Sequence, residues 1–296
     1  GRRQQQGQQR RDEQALPCGG VQIGGRLVGD GTEYKQLFES CQLLQLTVTA
    51  LTCAYCHNPE TQKMCIHCGA CVKHCPAGAL YISKEGKVIW KEEMCTQCDT
   101  CIKVCPHYAS PKIKWMNAYE VFAEVKKNVP FIRGITVSGG ECLLYPEFIK
   151  ELFTLAQTDK LSCLIDHNGT IDLSNHPDLL EVTDGIMLDI KSWDMDNFKR
   201  LTGGENHIVK KNLKYLEDIG RLEEIRIVCL PGEVDAEEII KQIPATLGKS
   251  NISTKLKLIK FRRFGVKGRL GHTSPPSDEY MEYPSPKGTT VATCSG

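Results

Sequence analysis

Eight cysteines in two matching runs constrain this chain more than any other feature. Cys65, Cys68, Cys71 and Cys75 follow the spacing C-x2-C-x2-C-x3-C with Pro76 next, and Cys95, Cys98, Cys101 and Cys105 repeat it with Pro106 next. Three thiolates at i, i+3 and i+6 can wrap one iron–sulfur cube, because the loop turns once per ligand. The thiolate just before proline reaches across to the other cube. That rule assigns Cys65, Cys68, Cys71 and Cys105 to one [4Fe-4S] cluster, and Cys95, Cys98, Cys101 and Cys75 to a second. Gly69 and Gly78 suit a backbone that approaches a cluster closely and donates N–H groups to its sulfurs. A pair of zinc ribbons is the competing reading, and the eight-for-eight match with both prolines counts against it. His67, His74 and His107 lie between the ligands and read as polar groups on the surface or beside the thiolates.

Cysteine usage in the whole chain points the same way. There are sixteen cysteines in 296 residues, and ten of them fall between Cys53 and Cys105. The N-terminus is rich in Gln and Arg and lacks the apolar stretch of an export signal, so metal binding is favoured over disulfides. Apolar residues make up 41% and charged residues 25%, with a net charge of +1. This composition gives a core without a nucleic-acid footprint. No apolar run approaches the roughly 20 residues of a membrane span. A soluble, cytoplasmic protein is expected, with neither nucleic acid nor membrane as partner.

Outside the cysteine runs, short β-branched stretches alternate with amphipathic ones. Strands are expected at 43–48, 132–138, 161–166, 185–190, 224–230 and 256–261, and helices at 117–128, 147–158, 174–182, 207–220 and 235–247. A strand after each helix implies repeated βα units on a parallel sheet. Six units make an α/β fold of the partial (β/α)6 barrel kind, with functional residues at the C-terminal strand ends. Those ends carry Cys53 and Cys56; Gly139, Gly140 and Glu141; Asp166 with Asn168 and Gly169; Asp189 with Lys191; and, on the fifth strand, Arg226 followed by Pro231 and Gly232. The expected organisation is a barrel at 43–59 and 112–275 and a two-cluster insert at 60–111. Atypical segments flank it at 1–42, expected to be poorly ordered, and at 276–296.

Together these residues resemble the radical S-adenosylmethionine (SAM) superfamily, and within it the activases of glycyl radical enzymes. The string from Leu51 to Glu60, LTCAYCHNPE, is similar to the activase cluster loop, and Thr136 to Glu141, TVSGGE, to the SAM-binding strand. A bacterial-ferredoxin-like insert directly after the cluster loop is typical of activases with two accessory clusters. Closer still is the YjjW-type subfamily, which shares Cys98-Asp-Thr-Cys101, the segments 131–141 and 184–193, Leu201-Thr-Gly203 and Phe264-Gly-Val266. The resemblance implies three [4Fe-4S] clusters, the third held in part by Cys53 and Cys56, and SAM chelated to its open iron. Reductive cleavage gives a 5′-deoxyadenosyl radical that takes hydrogen from a glycine of a partner enzyme. It further implies that main-chain groups of Gly139 and Gly140, with Glu141 nearby, receive the methionyl ammonium, with Asp166 as a second acceptor. Lys191 and Arg226 balance the carboxylate, and Asp189 supports Lys191. The implied partners are a glycyl radical enzyme, YjjI-like in the subfamily, and reduced flavodoxin or ferredoxin as electron donor.

The chain departs from that pattern at Thr49, which stands where the family has the first of three cluster cysteines. A hydroxyl is a poor substitute for thiolate on iron. Two explanations follow: a variant that keeps only electron-transfer clusters, or a shifted reading frame before about residue 50, where the resemblance stops. A radical SAM enzyme acting on a small molecule or peptide is a further alternative, disfavoured by the early position of the insert. Cys142, where many activases have proline, reads as a packed thiol, as do Cys163 and Cys229.

Overall fold

The computed structural model describes residues 65–106, 109, 111–112, 114–139, 141–248, 254–262 and 268–281, together with the backbone of 20–23 and 43–49. Among the described residues the strands are β1 (Gly20–Ile23), β2 (Leu43–Thr49), β3 (Leu80–Ile82), β4 (Val88–Trp90), β5 (Lys114–Trp115), β6 (Gly134–Gly139), β7 (Ser162–His167), β8 (Gly185–Asp189), β9 (Leu222–Cys229) and β10 (Lys255–Lys260). Eight of them form one sheet in the order β10-β9-β8-β7-β6-β2-β1-β5. The six from β2 to β10 in that row are parallel, as the repeated βα pattern predicts. β1 and β5 extend it as an antiparallel edge.

The helices are α1 (Ala70–His74), α2 (Thr100–Lys103), α3 (Ala118–Lys126), α4 (Pro146–Thr158), α5 (Pro177–Glu181), α6 (Met195–Thr202), α7 (His207–Asp218), α8 (Ala236–Leu247) and α9 (Asp278–Met281). Local chemistry explains the boundaries. Asn117 and Glu120 form a reciprocal capping box at the start of α3, and Pro146 occupies the first turn of α4, where its missing N–H costs nothing. The expected helix over 174–182 is interrupted. A 3-10 turn at Leu173–Asn175 precedes α5, and Pro177 restarts the helix.

The sheet has two unlike faces. Ile135, Val137, Cys163, Ile165, Ile186, Leu188, Ile225, Ile227, Leu256 and Leu258 are buried in one core with helical residues such as Ile149, Leu152, Phe153, Leu213, Leu216 and Ile243. The buried positions of α4, Ile149, Leu152, Phe153 and Ala156, fall at the i, i+3, i+4, i+7 spacing of one helical stripe. Each such large side chain contributes about 1.5–3 kcal/mol by leaving water. The intervening strand positions point to the opposite face and include Thr136, Ser138, Asp166, Asp189, Glu224, Arg226 and Lys257. A parallel sheet covered by apolar layers on both faces reads as continuous aliphatic strands. This one instead reserves a face for polar work.

The cysteine-rich segment has its own architecture. β3 and β4 pair antiparallel, Leu80 opposite Trp90. A small core of Cys71, Leu80, Val88 and Cys101, with Val72, Trp90, Ile102 and Val104 against it, is separate from the main one. Outside residues 60–111, four elements have no counterpart among the expected strands and helices: β1, β5, α6 and α9. Among the described residues no helix is long and apolar enough to cross a membrane.

Candidate functional site

In the cysteine-rich segment the backbone repeats itself with a 30-residue offset. His67 and Gln97 take positive φ (57° and 56°), as do Gly69 and Asp99 (74° and 58°). The Ala79 N–H donates to Cys75 Sγ and the Ala109 N–H to Cys105 Sγ, both at 3.3 Å. Residues in the left-handed region turn successive N–H groups inward, the arrangement that receives an anionic group. Cys65, Cys68, Cys71 and Cys105 line one cavity, while Cys75, Cys95, Cys98 and Cys101 line another. These are the two sets that the crossed ligand rule gives.

The described cysteines are all unbridged. Among the described residues no three Cys, His, Asp or Glu side chains converge as a single metal ion requires. Four thiols around a wider cavity fit a cube-shaped cluster. A further indication is the indole N–H of Trp90, which is buried without a partner on the wall of the second cavity. His67 accepts at Nδ1 from the Val88 N–H at 3.0 Å, tying the first cysteine loop to β4. His74 Nδ1 pairs with the Ala70 carbonyl at 2.8 Å. His107 lies outside the described residues.

The second constellation sits on the polar sheet face. Arg226 donates from Nη1 to Asp166 at 2.8 Å, from Nε to Glu224 at 2.6 Å and from Nη2 toward Met187 Sδ at 2.8 Å. Lys191 Nζ lies 2.9 Å from Asp189 Oδ2, and its side chain is only 10% exposed, so it is not a solvated surface lysine. Burial and then the Asp189 carboxylate push the Asp166 carboxyl up to about 6, with Arg226 and Lys191 pulling the other way. The Lys257 ammonium lies 4.0 Å from the same Glu224 oxygen that Arg226 Nε bonds. Sequence reasoning missed Glu224 and Lys257. The first is legible in retrospect, because period two puts residue 224 on the same face as Arg226.

Glu141, next after the glycine pair in the chain, is tied to the loops around it. Its side chain is 6% exposed. Its carboxylate accepts from the N–H groups of Leu143 and Asn168, each at 3.0 Å, and faces His167 Nδ1 at 3.0 Å. Asn212, fully buried on α7, donates to the carbonyls of Gly169 and Ile171 at 2.9 and 2.7 Å. These bonds fix the loops after β6 and β7 to each other. Gly139 ends β6 with its Cα opposite Val48 of β2, so the end of β2 at Thr49 lies near Gly139. Gly140, Cys53 and Cys56 lie outside the described residues. Cys142, Cys163 and Cys229 are buried. Burial pushes the Cys163 and Cys229 thiols up to about 12 and about 11, as packed, unreactive thiols require.

The loop carrying Lys191 is held from outside. Asp235 opens α8 without capping it. Its carboxylate instead accepts from the N–H groups of Trp193 and Asp194, with shortest contacts of 2.9 Å each. Asn206 donates to the Trp193 carbonyl at 2.7 Å.

A parallel sheet with charged residues and glycines at its C-terminal strand ends, joined to a cysteine-rich segment, defines a class. The radical SAM superfamily model matches residues 50–243, and the chain belongs to that superfamily, whose members use SAM and a [4Fe-4S] cluster. Its similarity runs further to particular activating enzymes. It is 28% identical to the indoleacetate decarboxylase activating enzyme of Tractidigestivibacter scatoligenes, over 86% of this chain and 88% of that one. It is 30% identical to the trans-4-hydroxy-L-proline dehydratase activating enzyme of Clostridioides difficile, over 80% and 81%. The pyruvate formate-lyase-activating enzyme of Clostridium pasteurianum is 26% identical, over 83% and 82%.

Proposed function

We propose that this chain is a radical SAM activase that installs a glycyl radical on a partner glycyl radical enzyme, YjjI-like in character, drawing electrons from reduced flavodoxin or ferredoxin. The observation that carries the reading is the gathering of Asp166, Asp189 and Arg226 on the polar face of β7, β8 and β9 with Lys191 just beyond β8, next in the sheet to β6, which ends at Gly139. When bound, SAM and its cluster supply the electron and the 5′-deoxyadenosyl radical that abstracts hydrogen from glycine.

The chain's own residues bind and orient. Asp166, whose charged form is penalised by burial and by Asp189, gains when a cation such as the methionyl ammonium arrives. The main-chain groups of Gly139 and Gly140 offer close-range acceptors. Glu141 acts chiefly by holding those loops in place. Lys191 and Arg226 supply positive charge for the carboxylate, Arg226 from a position held by Glu224. The fold in this reading is a partial (β/α)6 barrel, interrupted after β2 by a ferredoxin-like module. The two thiol-lined cavities support two accessory [4Fe-4S] clusters there.

A second reading rests on Thr49, an incomplete ligand set at the third cluster: an iron–sulfur electron-transfer protein that no longer cleaves SAM. Anaerobic reconstitution separates the two. About twelve irons with reductive formation of 5′-deoxyadenosine supports the activase, and about eight irons without cleavage supports the carrier. If the missing ligand is the one defect, Thr49→Cys converts the second outcome into the first. Co-expression with the partner and an electron paramagnetic resonance (EPR) search for a glycyl doublet then tests the final step.

A further inference from the structure

The two cysteine halves match closely enough that each serves as a control for the other. Thiol exposure is the same position by position: Cys65 and Cys95 half-buried, Cys68 and Cys98 exposed, Cys71 and Cys101 buried, Cys75 and Cys105 half-buried. The main-chain donors to Cys75 and Cys105 are equal at 3.3 Å. Against that background the side chains around the cavities differ.

Where the first half has Gly69, with Ile82 Cδ1 3.1 Å from the position a Cβ would take there, the second has Asp99 paired with Lys112 at 2.5 Å. Thirty residues separate Gly69 from Asp99 and Ile82 from Lys112, so an aliphatic contact in one half is an ion pair in the other. Lys112 lines the cavity of Cys75, Cys95, Cys98 and Cys101, as do Trp90 and Asp99 itself. Ala70 in the first half is matched by Thr100, whose hydroxyl lies 3.3 Å from Cys98 Sγ. The described residues lining the first cavity carry no charged side chain.

We propose that the cavity ringed by Cys75, Cys95, Cys98 and Cys101 holds the higher-potential cluster of the pair, and that Lys112, Thr100 and Trp90 set this order. The inference rests on the two-cluster reading above. Reduction adds one negative charge to a cluster, so nearby positive charge and hydrogen-bond donors favour the reduced form and raise the potential. Asp99 does not cancel Lys112. The Lys112 side chain is 9% exposed and that of Asp99 is 56% exposed, so water screens the carboxylate more than the ammonium. The hydroxyl of Thr100, facing a thiolate, acts as donor. The buried N–H of Trp90, otherwise without a partner, adds a second donor to the same cavity. Beyond the matched main-chain donors, the first half answers with the backbone N–H of His67 on Cys65 Sγ at 3.4 Å, a neutral donor. An electron entering the module therefore rests at the second site.

The test is an EPR-monitored potentiometric titration of the full chain. A Cys53→Ala/Cys56→Ala background leaves only the two sites to titrate. Lys112→Gln and Trp90→Phe each lower the upper of the two waves. For Lys112→Gln the expected change is about tenfold in the ratio of reduced to oxidised cluster at fixed potential, or about 59 mV for one electron. Asp99→Asn, which keeps a residue tolerant of positive φ, raises that same wave, and the lower wave stays in place throughout. A general structural disturbance does not give opposite signs for the two members of one ion pair. The proposed order is overturned if Lys112→Gln or Asp99→Asn moves the lower wave, if both shift the upper wave the same way, or if no wave moves. Iron and sulfide counts come first. A chain that takes up no cluster at these thiols overturns the two-cluster reading itself.

Discussion

The Glu141 carboxylate joins the end of β6 to the loop after β7 through Leu143, His167 and Asn168. An amide in its place presents a donor to at least one N–H, leaving a buried group unsatisfied. Glu141→Gln is expected to lose about 1–3 kcal/mol in denaturant unfolding and to weaken SAM binding measured by calorimetry. Gly169 follows in the same loop with φ +82°, and a Cβ there would meet both Val209 methyls at 3.0 Å. Gly169→Ala therefore combines left-handed strain with overpacking, about 2–4 kcal/mol by unfolding. At the rim, Glu233 receives Arg200 at 2.6 Å and also Arg269, and their hydrogen bonds hold its carboxyl down to about 2. A depressed carboxyl adds stability above its ordinary value near 4.5, lost as pH falls toward about 2. Glu233→Gln should flatten that limb of thermal stability against pH by on the order of 1 kcal/mol after solvent screening. Residue positions were legible in the sequence where a motif or strand period carried them, as at Asp166, Lys191 and Arg226. They were not legible where the partner is distant in the chain: His167 and Asn212 for Glu141, or Trp193 for Asp235, 42 residues away.

Among elements, the parallel strands were readable because each is an aliphatic run at every second position, and α4 because four apolar residues mark one stripe. β1 and α6 were not. Gly20–Ile23 lies among glycines that read as loop, and α6 buries only Phe198 and Leu201 of its eight residues. Phe153→Ala on α4 is expected to cost about 3–5 kcal/mol by chemical denaturation, since its side chain is fully buried. The crossed thiol sets make a sharper prediction. Cys75→Ala should empty the site built by Cys95, Cys98 and Cys101, and Cys105→Ala the site built by Cys65, Cys68 and Cys71. Each loses about four irons, and Mössbauer spectra should show the surviving cluster unchanged.

For the molecule as a whole, the sheet joins β2 to both neighbours at once, in register with β1 from Gly20 opposite Thr49 and with β6 up to Gly139 opposite Val48. The backbone at position 49 is thus held by β1, and Val48 beside it by both β1 and β6, whatever residue stands at 49. That makes it a fixed socket for comparing donor atoms. A series with Cys, Ser, Asp or His at 49 changes the chemistry offered while the ladder holds the attachment point. Differences in iron retention across such a series then report on the donor and not on a shifted main chain.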